Sequence, residues 1–144
     1  MTDTAPGGSA LLIVDMINPL DFENCEAIRG PAEAAARRIR ALRDDADAAG
    51  MPVIYVNDNA GAWHSERDKL FEQATQPDCA GRTMTEMLRP LDHHYFLMKP
   101  QFSGFYATNL PAVLPRLGVR RLILTGIAAD ICLLFTAADA HMRQ

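Results

Sequence analysis

Four short, nearly uninterrupted apolar runs constrain this chain more than any other feature. They are Ala10-Leu11-Leu12-Ile13-Val14, Pro52-Val53-Ile54-Tyr55-Val56, Tyr95-Phe96-Leu97-Met98 and the stretch from Val119 to Thr125. A strand that is apolar at every position buries both its faces, as strands do in a parallel sheet covered by helices. The intervening segments supply those helices. Gly30-Pro31 opens one with proline at its first position, and Gly50 closes it. Within it Ala32, Ala35, Ala36, Ile39, Leu42, Ala46 and Ala49 keep helical spacing, while Arg37, Arg40, Asp44 and Asp47 are turned mostly outward. Shorter helices are predicted over 67–73, 83–88 and 109–117. After the last run, Asp130 is a candidate N-cap, and Ile131, Leu134, Phe135 and Ala138 form the apolar face of a final helix. The alternation of strand and helix predicts a single α/β domain over residues 10–144, a parallel sheet flanked by helices.

Composition removes several classes of function. The 144 residues suffice for one domain with a substantial core. Fourteen basic against 18 acidic residues give a net charge of −4, without a basic stripe, so nucleic acid is not an expected partner. No apolar run approaches the ~20 residues that cross a bilayer, so no membrane partner is expected. Residues 1–9 are polar and Gly/Pro-rich, without an apolar core of their own, and read as a flexible leader. Cys25, Cys79 and Cys132 are odd in number and widely spaced, which points to a reducing, cytoplasmic setting.

Three of the runs deliver an ionisable residue at their carboxyl ends: Asp15, Lys99 and, in the first turn of the final helix, Cys132. In a parallel sheet those ends share one rim, where α/β proteins bind ligands. Each residue alone has an ordinary reading. Asp15 could cap a turn, Lys99 could be a solvated surface lysine, and Cys132 could be a small buried apolar residue. A carboxylate, an ammonium and a thiol on one rim are much less expected by accident. A helix N-terminus also favours thiolate over thiol, and a downward shift of about 2 units from the usual ~8.5 would make the thiolate dominant. Phe22, Trp63, Phe105 and Tyr106 lie in loops after the strands, as pocket-wall candidates or as ordinary packing.

These segments together resemble the cysteine hydrolases of the isochorismatase-like superfamily. The matching residues are Leu11-Leu12-Ile13-Val14-Asp15-Met16, Lys99-Pro100 with Ser103-Gly104-Phe105, and Thr125-Gly126-Ile127-Ala128-Ala129-Asp130-Ile131-Cys132. The resemblance implies a Rossmann-like, three-layer αβα fold and a Cys–Asp–Lys triad of Cys132, Asp15 and Lys99. It also implies a non-proline cis peptide at Ile127–Ala128, with an oxyanion hole from the backbone N–H groups of Ala128 and Cys132. The implied chemistry is hydrolysis of a small amide, carbamoyl or ureido substrate through a thioester, without a cofactor.

Two departures from the family bear on that expectation. Members with nicotinamidase-like chemistry hold a metal through an Asp-x-His and a further His after the second strand. Here Asp58 and His64 occupy that loop without the pattern, so no metal is expected. His93 and His94 are adjacent, would point to opposite faces of a strand, and are read as loop residues. Secondly, the family continues beyond this helix with further strand and helix, whereas this chain stops at Met142-Arg143-Gln144. The fold is therefore expected to look truncated at its C-terminus, with an apolar sheet edge covered by a second subunit in a homo-oligomer. The rival expectations are a non-catalytic binding module that keeps the fold, and a nucleotide- or flavin-binding domain. The second lacks both G-x-G-x-x-G and G-x-x-x-x-G-K-[ST] after its strands.

Overall fold

The computed structural model describes residues 8–143, so the predicted leader lies almost wholly outside the described residues. Four parallel strands form one sheet in the order β3-β2-β1-β4: β1 (Ser9–Val14), β2 (Val53–Asp58), β3 (Tyr95–Lys99) and β4 (Arg121–Gly126). The two middle strands, β1 and β2, are buried along nearly their whole length, as continuous apolar runs require. Alternation then divides the core. Leu11, Ile13, Val53 and Tyr55 face one layer, while Ala10, Leu12, Val14, Ile54 and Val56 face the other.

The first layer holds α1 (Cys25–Ala48), α2 (Arg67–Ala74) and α3 (Arg82–Met87). The second holds α4 (Leu110–Arg116) and α5 (Cys132–Arg143). The sheet with helices on both faces is the α/β architecture read from the sequence. Three local expectations fail. Helix α1 opens at Cys25 rather than at Pro31, which lies inside it. Its inward stripe is Ala32, Ala36, Ile39, Arg43 and Ala46, so Leu42 points to solvent and Arg43 points in. Arg43 is accommodated there because its guanidinium donates to the Tyr55 hydroxyl and the Arg89 carbonyl and pairs with Asp44.

The third failure is in α5. The helix starts at Cys132, beyond Asp130, and Ile131, Leu134, Phe135 and Ala138 are exposed. Its buried contact is Thr136, whose hydroxyl donates to the Cys132 carbonyl at 2.6 Å and accepts from the Gly104 N–H at 3.0 Å. Helix α5 is thus seated by small and polar residues, with its apolar stripe turned outward.

His93 and His94 are loop residues as read, but they do more than face solvent. They precede β3 in a turn, and both rings converge on the carboxylate of Asp47, each with Nε2 3.0 Å from Oδ1. The Leu91 N–H donates to His94 Nδ1 at 3.1 Å, so neutral His94 carries its proton on Nε2 and donates it to Asp47. Burial holds the His94 pKa below its ordinary value, against the opposing pull of Asp47. The folded state therefore binds fewer protons than the unfolded chain as pH falls from about 6.5, and this contribution to stability is lost over that descent. Asp47, held low by its hydrogen bonds to the two histidines in spite of burial, adds a second loss below its ordinary 3.8. Thermal denaturation between pH 7.5 and 5 should show Tm falling with pH, and His94→Gln should flatten that slope. A wild-type Tm that rises toward pH 5 would contradict the assignment.

Candidate active site

The rim at the carboxyl ends of the strands is built by loops with little freedom. Beyond β1 the backbone of Asp15 enters the left-handed region at φ +56°, which aspartate tolerates better than most residues. Its N–H donates to the Val56 carbonyl at 3.1 Å, tying the turn to β2. Beyond β4, Gly126 adopts φ +122°, and a Cβ there would collide with the Val14 carbonyl oxygen. That close approach of two strand ends brings the start of α5 beside Asp15. The Ile127–Ala128 peptide that follows is cis.

Three groups meet at this rim. The Lys99 side chain, wholly buried, runs inward from edge strand β3 past the end of β2. Its Nζ lies 3.0 Å from Asp15 Oδ2, 3.4 Å from Cys132 Sγ and 3.1 Å from the Gln101 carbonyl oxygen. These partners take all three ammonium protons. Asp58 Oδ2 stands 4.0 Å from the same nitrogen. The second oxygen of Asp15 accepts from the Asp58 N–H at 2.7 Å. The aspartate and the lysine thereby fix each other, and the thiol sits against the ammonium.

The resting state of the thiol differs from the sequence expectation. The Cys132 pKa is pushed up to about 11, first by burial and then by the hydrogen bond and negative charge of Asp15, with Lys99 opposing. Because Asp15 largely cancels Lys99, the helix N-terminus acts on a thiol facing a nearly neutral pair, and desolvation prevails. Cys132 is accordingly a thiol at neutral pH. Among the described residues, neither the Ala128 nor the Cys132 N–H is engaged in a hydrogen bond.

The pocket-wall candidates separate into two groups. Trp63 and Tyr106 line a cavity of about 510 Å³ together with Asn59, Ser65 and Gln101, and both rings are largely exposed. Gln101, whose carbonyl accepts from Lys99, also lines this cavity, whereas Asp15, Lys99 and Cys132 do not. Phe105 does not line this cavity: it is buried in the core beneath α4 and α5, with the Arg143 guanidinium over its ring. Phe22 is partly exposed in the loop after β1 and does not line this cavity. Sequence reasoning did not mark Ser65, a residue that lines the same cavity and whose buried hydroxyl has no hydrogen-bond partner among the described residues. Nor did it mark Asn57, a buried strand residue with three side-chain hydrogen bonds.

Asp58 is occupied by the Ala60 N–H and by Lys99, and His64 is exposed. Among the described residues the one convergent set of ligand atoms is Asp47, His93 and His94, within 4.8 Å of one another at the amino end of β3. It suits hydrogen bonding better than coordination. Ligation through His94 Nε2 would require the proton on Nδ1, which already accepts from Leu91.

The model of the isochorismatase domain matches residues 9–144. The chain belongs to the isochorismatase family. It is 40% identical over 135 residues to the isochorismatase family protein YaaI of Bacillus subtilis, covering 94% of this chain and 74% of that one. It is 28% identical to the ureidoacrylate amidohydrolase RutB of Agrobacterium fabrum, covering 94% and 70% of the two chains. Among solved structures, N-carbamoylsarcosine amidase from Thermoplasma acidophilum superposes with a TM-score of 0.70 at 30% identity, covering 94% and 77%. That solved structure shares the α/β fold described above. Among the described residues no helix is long and apolar enough to cross a membrane.

Proposed function

We propose that this isochorismatase-family hydrolase cleaves the C–N bond of a small amide, carbamoyl or ureido substrate through a thioester on Cys132. The observation that carries the reading is the lysine ammonium lying within 3.4 Å of the thiol and 3.0 Å of a carboxylate at a sheet rim. Support for the bond type comes from relatives named as a ureidoacrylate amidohydrolase and an N-carbamoylsarcosine amidase.

With its pKa near 11, the thiol makes its nucleophile on demand rather than storing it. Sγ attacks the carbonyl carbon as its proton passes to the Asp15 carboxylate, and the carbonyl π pair moves onto oxygen. The N–H groups of Ala128 and Cys132 receive that oxyanion, and each such donor is worth roughly 10²–10³ in turnover. Asp15 then protonates the nitrogen, the C–N bond breaks, and ammonia or an amine departs from the thioester. Water attacks the thioester, Asp15 takes its proton, and the thiolate leaves and is reprotonated. Lys99 offsets the negative charge that alternates between Sγ and Asp15. Trp63 and Tyr106 flank the substrate.

A screen of small primary amides, N-carbamoyl amino acids and ureides for ammonia release tests the reading. The expected outcome is turnover of at least one N-carbamoyl or ureido compound. Hydrolysis confined to esters would contradict the bond assignment. The exposed stripe of α5 is consistent with a homo-oligomer, and a cytoplasmic setting fits three free cysteines.

A further inference from the structure

Asn57 has no part in the chemistry above, yet it is buried and its side chain is fully engaged. Its Oδ1 accepts from the Ile17 N–H at 3.1 Å, and its Nδ2 donates to the Ile17 carbonyl at 3.0 Å and to the Asp58 carbonyl at 3.1 Å. The amide therefore clasps the backbone of Ile17 from both sides, 40 residues away in sequence. Ile17 lies two residues beyond Asp15, on the far side of a left-handed turn, and Asp58 is the residue whose N–H holds Asp15 Oδ1 at 2.7 Å.

Apart from the clasp, two contacts to the Asp15 side chain fix its carboxylate, the Asp58 N–H and Lys99 Nζ. They come from β2, which pairs with β1, and from β3 one strand further out, so the carboxylate is aligned only while the turn after β1 keeps its register against the end of β2. Among the described residues, Asn57 is the one side chain that bonds to both Ile17 in that turn and Asp58 at the end of β2. An apolar residue of similar size would leave the Ile17 N–H and carbonyl unpaired in the interior, where the chain would shift to find other partners.

We infer that Asn57 is a positioning residue that aligns the Asp15 carboxylate with the Cys132 thiol. The inference rests on the reading of Asp15 as the acceptor of the thiol proton. It adds the group on which that alignment depends. Misplacing a catalytic group by about 1 Å is sufficient to cost roughly 10²-fold in rate.

The thiol reports the alignment without any substrate. The charged groups beside it are Asp15 and Lys99, with Asp58 behind the lysine. If the carboxylate swings away, the thiol loses the neighbour that holds its proton, and its titration moves down. Site-resolved alkylation of Cys132 by iodoacetamide, followed by mass spectrometry from pH 6 to 11, measures this. In Asn57→Ala the midpoint of Cys132 should fall by about one unit or more, with kcat on the best substrate reduced roughly 10²-fold and KM little changed. Asn57→Ser serves if the alanine variant does not fold, with the same shift expected. Tyr55→Phe, which removes a buried hydrogen bond with Arg43 distant from the rim, should leave the midpoint where it is. A folded Asn57 variant with an unmoved Cys132 midpoint overturns the inference, as does a Tyr55→Phe shift of equal size. Asp15→Asn separates the two levels. If it moves the midpoint and abolishes turnover while the Asn57 variants do neither, the positioning role fails and the mechanism stands. If Asp15→Asn does neither, the mechanism itself fails.

Discussion

Cys132→Ala is expected to give a folded protein whose ammonia release from the best substrate is lower by a factor of about 10⁴ or more. The size follows from the chemistry proposed for the rim. No other sulfur is available, because Cys25 packs against the cluster beneath α1 and Cys79 donates to the Gln73 carbonyl. Removing the nucleophile leaves the backbone N–H groups and the binding pocket, which can still orient a substrate toward water. Stability should change little. Cys132 is only half-buried, and losing one sulfur atom there leaves a space that solvent can enter. Circular dichroism and Tm should therefore match the parent within a few degrees while turnover disappears. Retained turnover in this variant would remove the thioester mechanism.

Lys99→Met should have the largest effect on the fold. Methionine replaces the aliphatic stem but not the ammonium, which at neutral pH faces the buried carboxylate of Asp15 and the half-exposed one of Asp58. Removing one partner of a buried ion pair is worse than never having built it, with a cost of about 3–5 kcal/mol. Asp58 can recruit water, so Asp15 carries most of the loss. Urea denaturation at pH 7 should show stability lower by about 3 kcal/mol. Turnover should be lost as well, since nothing then offsets the negative charge that passes between Sγ and Asp15. A loss below about 1 kcal/mol at pH 7 would mean that the pair is solvated and the site more open than described.

Much of the architecture was legible because apolar runs are a direct signal. The central strands β1 and β2 are buried on both sides, so their residues are nearly all apolar and stand out against any background. That three strands end in Asp15, Lys99 and Cys132 was equally readable, since a parallel sheet brings carboxyl ends to one rim. What escaped depends on side-chain reach. Asn57 continues β2 beyond its last apolar residue, and a polar strand end looks like the start of a loop until its partner Ile17 is seen. The convergence of His93 and His94 on Asp47 depends on the turn at Leu91 to His94, whereas strand periodicity would set the two rings apart. Helix α5 misled because its apolar stripe is its outer face, so the periodicity was read correctly and its orientation was not. The thiol misled for an energetic reason. A helix N-terminus favours thiolate, but burial and an adjoining carboxylate outweigh it at Cys132.

The proposal that Cys132 carries the acyl group can be observed directly. Wild-type protein mixed with its best carbamoyl or ureido substrate, quenched in acid within milliseconds and mapped by mass spectrometry, should carry the substrate's acyl mass on the peptide containing Cys132 alone. Turnover at full rate with that peptide unmodified under every quench time, or with the acyl mass on another residue, would contradict it.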